Sequence, residues 1–176
     1  MMPEQFQIIY PRISGWIRQT LAGYAEQARA APSAGFARLP LYFSPGLLQS
    51  AKFVVVEQLP MPPLTTLGLG QFEDFLQGDY DGITYLDTFF VRCHRADDEG
   101  LYFHELIHVV QWRLLGPERF LAAYADGHKR FGYHKNPLEV MAYDAEATFR
   151  QSSQSFNAEK LVAEQLRGIR QSANGL

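Results

Sequence analysis

The sequence predicts an α+β fold in which a short mixed sheet packs on several helices. Branched and aromatic runs bounded by proline and glycine are typical of short strands, and they occur between residues 39 and 93. Segments with apolar residues three and four positions apart, typical of amphipathic helices, occur before and after that region. The length of 176 residues suits one domain, so we expect residues 1–176 to form a single unit.

The first half of the chain is predicted to contain one helix and three strands. Apolar positions from Ile13 to Ala28 recur at helical spacing, which predicts a helix over residues 11–31 with Pro11 in its first turn. Strands are predicted at 39–43, at 52–57 and, after an irregular stretch from Gly68 to Gly82, at 83–93.

The second half is predicted to be helical. Acidic residues after Arg95 favour a helix start, and Gly116-Pro117 favours its end near Leu115. The remaining predictions are a helix at 118–125, a loop at 126–135, a helix at 136–150 that begins with Asn136 as N-cap, a helix at 157–170, and a flexible tail at about 171–176.

The charge balance and cysteine content narrow the classes of partner. Sixteen basic residues against nineteen acidic ones give a net charge of -3, which argues against nucleic acid or an anionic membrane as partner. The single cysteine forms no internal disulfide, and neither a signal peptide nor a run of roughly 18 apolar residues is recognisable. We therefore expect a cytoplasmic protein.

The motif that carries chemistry is His104-Glu105-Leu106-Ile107-His108. Residues four apart share a helix face, so both imidazoles can hold one metal ion, and zinc accepts such nitrogens readily. Glu105 then lies where a general base for hydrolysis would be needed. The alternative is a chance match, with the two histidines hydrogen-bonded to backbone carbonyls or to each other.

A third ligand is needed for a catalytic zinc site. Gln111 and Leu114 stand where a metzincin would have glycine and histidine, so that class is excluded. A carboxylate from the helix predicted at 136–150 remains as the source, and Glu139 is the first choice.

Several alternatives stay open for this third position. Glu139 could instead close a capping box with Asn136. Glu146 is the second choice as ligand, followed by Asp144 and His134, and either Asp144 or Glu146 could accept the other ring N–H of a metal-bound histidine.

The residues between about 83 and 150 resemble small bacterial zincin-like domains of the gluzincin type. The resemblance rests on three segments: His104 to Trp112, Gly132-Tyr133, and Asn136 to Tyr143. It implies zinc held by His104, His108 and Glu139, with Glu105 as the catalytic base. One family feature, an aspartate four residues after the ligand glutamate, is not kept, since Tyr143 stands there.

The resemblance also implies how a substrate would be held. It makes the strand at Ile83–Cys93 an edge strand on which an extended peptide could lie. Tyr133, His134 and Tyr143 are candidate donors to an oxyanion. The expected function is a zinc metallopeptidase acting on a peptide or protein, and the alternative is a catalytically inactive zincin-like module that binds zinc and a protein partner.

Overall fold

The computed structural model describes residues 4–173 and has a mixed α+β architecture. Its helices are α1 (Glu4–Gly23), α2 (Pro45–Ser50), α3 (Glu99–Leu115), α4 (Pro117–Phe131), α5 (Pro137–Gln151) and α6 (Ala158–Ala173). Its strands are β1 (Arg29–Ala30), β2 (Lys52–Val56), β3 (Gly82–Tyr85) and β4 (Thr88–Arg92).

The four strands form one mixed sheet in the order β1-β2-β4-β3. β1 pairs antiparallel with β2, β2 pairs parallel with β4, and β4 pairs antiparallel with β3. Helix α3 contacts β3 and β4 of the sheet and also contacts α4, α5 and α6. It therefore runs through the centre of the molecule, and it is buried continuously from Gly100 to Trp112.

Three predicted elements are confirmed closely. The strand predicted at 52–57 is β2, the helix predicted to end near Leu115 is α3, and the helix predicted at 136–150 is α5. The Asn136 side chain accepts a hydrogen bond from the Leu138 amide, as expected of an N-cap. The helix predicted at 157–170 is α6, which continues to Ala173, so the predicted tail is helical at 171–173 and its residues 174–176 lie outside the described residues.

The strand predicted at 39–43 is wrong. Residues Leu39–Leu41 form a 3-10 turn, and helix α2 follows with the Ser44 hydroxyl as its N-cap. Pro40 explains the difference, because it has no N–H to donate to a neighbouring strand. Leu39, Tyr42 and Phe43 pack in the core without belonging to the sheet, and Leu41 is exposed.

The strand predicted at 83–93 is two strands. β3 and β4 form a hairpin whose two-residue turn is Leu86-Asp87, with Leu86 at a positive φ of 60°. Leucine seldom adopts this backbone conformation, so the composition of the segment gives no turn signal. Of the two strands, β3 is at the sheet edge and β4 is internal.

Two helix boundaries also differ from prediction. α1 begins before Pro11 and ends at Gly23, because its apolar spacing already starts at Phe6. α4 continues through the predicted loop to Phe131 and ends before Gly132, whose φ is 74°. Gly127 permits this path, since a Cβ there would lie 2.6 Å from Asn136 Oδ1. The predicted irregular stretch at 68–82 contains a 3-10 helix at Gly70–Gln77.

Within residues 4–173 no helix is both long and apolar enough to cross a lipid bilayer.

Candidate metal centre

Helix α3 places two buried imidazoles side by side. The Asp98 carboxylate caps the helix by accepting hydrogen bonds from the amides of Gly100 and Leu101. One turn further on, His104 and His108 are 4% and 6% exposed, and their Nε2 atoms lie 3.1 Å apart. The four-residue spacing thus brings the two nitrogens to one point, as the sequence predicted.

Glu139 of α5 reaches the same point. Its Oε2 atom lies 3.5 Å from His104 Nε2 and 3.4 Å from His108 Nε2, and the side chain is buried. The capping-box alternative does not describe this carboxylate. In a capping box the backbone N–H of Asn136 would donate to Glu139, but here it donates to the Tyr133 carbonyl. Glu139 Oε1 accepts instead from the Tyr124 hydroxyl at 2.6 Å.

The three groups could hold a metal ion. Their donor atoms all lie within 4.8 Å of one another, and Glu139 Oε2 is buried without a hydrogen-bond partner among the described residues. The three donor separations are 3.1, 3.4 and 3.5 Å. Tetrahedral zinc, with ligand distances of about 2.0–2.1 Å, requires separations of about 3.3 Å. The donor set therefore fits a small divalent cation in both chemistry and spacing.

A further polar contact fixes each of the three side chains. Glu146 Oε2 lies 3.1 Å from His104 Nδ1, Gln111 Oε1 lies 2.8 Å from His108 Nδ1, and Tyr124 donates to Glu139. Such contacts orient ligand rings and select the tautomer that leaves Nε2 free to bind. The second choice as ligand, Glu146, is thus on the wrong side of His104 to share the ion and instead supports the ring.

Further hydrogen bonds fix Glu146 and Gln111, the two residues that contact the histidine rings. The Arg150 guanidinium donates to Glu146 Oε1 at 2.7 Å and also binds Asp98. The Gln111 amide donates to the Leu138 carbonyl at 2.9 Å, which ties α3 to the start of α5. The geometry of the three donors is therefore built into the packing of α3 against α5.

The histidines and carboxylates of the cluster shift one another's pKa values. Burial lowers the pKa of His104, but the carboxylates of Glu139 and Glu146 outweigh it and raise the value to about 10. Burial likewise opposes ionisation of Glu139, and the two histidines outweigh it, so the pKa of Glu139 is lowered. The carboxylates therefore favour protonation of the histidine pair, and a cation that binds the two Nε2 atoms must displace any proton held there.

Glu105 is buried beside the cluster on the same helix. Thr84 of β3 donates a hydrogen bond to Glu105 Oε2 at 2.6 Å, and burial raises the pKa of the carboxyl group. Gly82 makes room for it, because a Cβ at that position would lie 2.4 Å from Glu105 Oε1. Strand β3 therefore sets the position of this carboxylate.

The other candidate residues lie at different distances from the cluster. The Tyr143 ring centroid lies 4.6 Å from that of His104, and its hydroxyl lies 3.2 Å from the Tyr133 hydroxyl. His134 is exposed and contacts the Tyr133 ring. Asp144 is also exposed, and the carboxylate that reaches His104 is that of Glu146. The structure thus brings both tyrosines, but neither His134 nor Asp144, to the cluster.

A cavity of about 680 Å³ opens beside the cluster. One end is lined by His104, Glu105, His108 and Glu139 together with Tyr80, Tyr124 and Tyr133. The remaining lining is largely apolar and comes from α1, the segment around Leu64, β3 and α4. The candidate centre is therefore accessible from a space of the size that binds small molecules, typically about 300–1,000 Å³.

Sequence reasoning missed three residues of the site: Thr84, Gln111 and Tyr124. The signal for Gln111 was present, because it follows His108 by three residues and so shares its helix face. Thr84 and Tyr124 come from β3 and α4, and no local spacing connects them with the motif.

Comparisons with protein-family models, with curated proteins and with solved structures give no match to this chain.

Proposed function

We propose that this protein is a zincin-like, zinc-dependent metallopeptidase that hydrolyses peptide bonds. The observation that carries the proposal is the buried cluster of His104, His108 and Glu139, with the Glu105 carboxylate beside it and a cavity leading to it. An isolated structural ion would need neither a base nor a cavity.

Zinc is the cation that best suits the donor set. Two imidazoles and one carboxylate are a common combination in catalytic zinc sites, which use three protein ligands and leave one position for water or substrate. Harder ions such as Mg²⁺ and Ca²⁺ prefer oxygen donors throughout. When bound, zinc supplies a Lewis acid that lowers the pKa of water to about 7 and polarises a carbonyl group.

Glu105 is the proposed general base. Its buried carboxylate accepts a proton from the water whose oxygen forms a bond to the carbonyl carbon. It passes that proton to the amine nitrogen as the C–N bond breaks. The raised pKa favours this role, because the group must both take up and release a proton near neutral pH. Thr84 holds the carboxylate in place through Oε2.

Tyr133 and Tyr143 are the proposed donors to the carbonyl oxygen as it gains negative charge. Burial raises the pKa of both hydroxyl groups, which keeps them protonated and able to donate. The mutual contact of the two hydroxyls keeps them together near His104. Hydrogen-bond donors placed in advance are among the larger contributions to catalysis of acyl transfer.

The alternative of a catalytically inactive zinc-binding module was motivated by the small size of the chain. A chain of 176 residues leaves few for the walls of a substrate cleft. The cavity of about 680 Å³ beside the cluster supplies such walls, and this favours the hydrolase over the module.

The metal assignment is tested by elemental analysis of the purified protein. We expect one zinc per chain in the wild type and none in His104→Ala or His108→Ala. His134→Ala is the matched control, since this exposed histidine lies outside the cluster and its loss should leave zinc in place. Full zinc occupancy in both cluster variants would refute the assignment.

Catalysis is tested with Glu105→Gln. We expect this variant to keep its zinc and to lose cleavage of a peptide library, and a chelator should abolish wild-type cleavage. Cleavage by Glu105→Gln at the wild-type rate would remove Glu105 as the base. Zinc binding without any cleavage by the wild type would favour the inactive module.

A further inference from the structure

The cavity beside the metal cluster has apolar walls contributed by separate parts of the chain. Ile9 and Ile13 come from α1, Leu64 precedes the 3-10 helix at Gly70–Gln77, and Leu121 comes from α4. Ile83 of β3 joins this lining. Elements far apart in sequence thus converge to enclose one space.

The volume of this space exceeds what a single side chain would occupy. A cavity of roughly 150 Å³ is sufficient to hold one benzene ring. The cavity here, at about 680 Å³, is several times larger. A ligand that fills it must therefore carry an apolar group larger than one ring.

Polar groups are distributed unevenly along the lining. His104, Glu105, His108 and Glu139 lie together at one end. Asp126 and Lys129 of α4 also border the cavity, and both are exposed. The aliphatic part of the lining offers contact with hydrocarbon, whereas a peptide backbone placed against it would need partners for its amide groups.

We infer that the substrate is an amphiphile: an amide whose cleavable group lies at the metal cluster and whose adjoining apolar moiety fills the cavity between α1, β3 and α4. This inference rests on the proposed hydrolase function for its polar end. The apolar moiety can be a long acyl chain or a cluster of large apolar side chains next to the scissile bond. Both present the same chemistry to the walls.

The first experiment measures binding of an apolar probe without reference to zinc or catalysis. The neutral dye N-phenyl-1-naphthylamine is titrated against the protein as isolated and after chelator treatment, with fluorescence as the readout. We expect saturable binding in both states. Absence of saturable binding in both states would overturn the inference.

Neighbouring isoleucines on α1 provide a matched pair of variants. Ile9 lines the cavity, whereas Ile8 is 66% exposed. Ile9→Gln should weaken dye binding roughly fourfold to tenfold, because it replaces apolar wall with an amide, and Ile8→Gln should leave it unchanged. Equal effects of the two variants, or no effect of either, would overturn the inference.

A second pair guards against displacement of α1 by the substitution. Leu121 of α4 lines the cavity, and Leu114 of α3 is exposed. Leu121→Gln should weaken dye binding as Ile9→Gln does, while Leu114→Gln should not. Circular dichroism melts of all four variants show whether each one folds, and a pair in which either variant is unfolded is replaced by substitutions to Thr at the same positions.

The second experiment tests the amphiphile itself. Hydroxamic acids of six to twelve carbons, which bind zinc through the polar group, are titrated calorimetrically against the zinc-loaded protein. We expect affinity to rise by about fourfold for each added methylene until the cavity is full. A hydroxamate of a short peptide with two phenylalanines forms the second arm, and its affinity relative to the acyl series distinguishes the two sources of the apolar group.

The two experiments separate the inference from the function on which it rests. Dye binding that depends on Ile9, combined with hydroxamates that bind no better with zinc than without it, would keep the apolar site and remove the hydrolase. Hydroxamates that need zinc but show no dependence on chain length would keep the metal centre and overturn the amphiphile.

Discussion

The two flanks of helix α3 differ in how tightly they are packed. On one flank, Phe103 stacks on Phe149 with ring centroids 4.4 Å apart and also contacts Tyr42, Phe43 and Phe156. On the other flank, the next two residues, His104 and Glu105, border a cavity of about 680 Å³. Adjacent residues of one helix thus face a filled aromatic core, the aromatic flank, and a cavity bordered by the ionisable side chains, the polar flank.

The difference indicates how a small domain can contain a cluster of buried ionisable groups. Burial of charged or polar groups costs free energy unless each one is paired. The aromatic flank, where side chains interlock, offsets that cost through dispersion and removal of apolar surface from water. The side chains of the polar flank can then be positioned for ligand binding and need not pack closely.

The largest effect on stability is expected on the aromatic flank. Phe103→Ala should lower the free energy of unfolding by about 3–5 kcal/mol, because it removes a fully buried ring and leaves a void. Urea denaturation followed by circular dichroism measures the change. Leu114→Ala, in the exposed last turn of the same helix, is the control and should change stability by less than about 0.5 kcal/mol. A loss of less than about 0.5 kcal/mol in Phe103→Ala would mean that the aromatic flank does not supply the stability assigned to it.

The polar flank should gain its stability from the cation. At a free zinc concentration of 100 times the dissociation constant, binding should stabilise the fold by about 2.7 kcal/mol relative to the chelated protein. Thermal unfolding with zinc and with a chelator measures the difference. His108→Ala should unfold at the same temperature in both conditions, and a zinc-dependent shift in that variant would place the ion elsewhere.

Loss of a hydrogen bond that orients one of the three metal-binding side chains should have a smaller effect, and this effect should appear in zinc affinity. Tyr124→Phe removes the hydroxyl that donates to Glu139 Oε1 and should weaken zinc binding by about 10–100-fold. Competition with a chelating dye measures the affinity. Tyr133→Phe is the matched control, because its hydroxyl contacts Tyr143 and not a donor of the cluster, and zinc affinity should not change. Equal weakening in both variants would argue for a general effect of losing a tyrosine hydroxyl.

The smallest effect is expected at the start of α3, where the Asp98 carboxylate binds Arg150 of α5. Burial raises the pKa of Asp98, but Arg95 and Arg150 outweigh it and hold the pKa below its usual value near 3.8. The stability that this charge contributes is therefore present above about pH 4 and is lost as the pH falls through the lower folded-state value.

Asp98→Asn tests this dependence, because asparagine keeps the cap and removes the charge. It should cost on the order of 1 kcal/mol at pH 7, since the side chain is only 19% exposed, and the cost should shrink as the pH approaches 3. Unfolding free energies of both proteins across that range provide the test. A cost that does not depend on pH would assign the contribution of Asp98 to the cap alone.

The sequence predicts best the elements whose signals are local. Asn136-Pro137 marks the start of α5, Gly116-Pro117 marks the end of α3, and each signal acts through the backbone of its own segment. The β3–β4 hairpin was missed because Leu86 adopts a positive φ that neighbouring strands impose on it. α4 was predicted too short because Gly127 serves close packing against Asn136, which is a tertiary contact.

The distinction between local signals and tertiary contacts also holds for the candidate metal centre. The His104–His108 pair follows from helical spacing alone. Glu139 is the first choice among several downstream residues, and the packing of α5 on α3 is what decides between them. The residues that fix them come partly from elsewhere: Tyr124 lies on α4 and Thr84 on β3. Their positions depend on how the layers pack, which no spacing in the chain encodes.

The missing side chain at Gly82 has a consequence for any relative of this protein. Since even one methyl group there would displace the Glu105 carboxylate, the position tolerates no larger residue while Glu105 keeps its place. Under the proposed function, alanine or serine at this position in a homologue that retains both histidines would keep the donors for the cation and displace the proposed base.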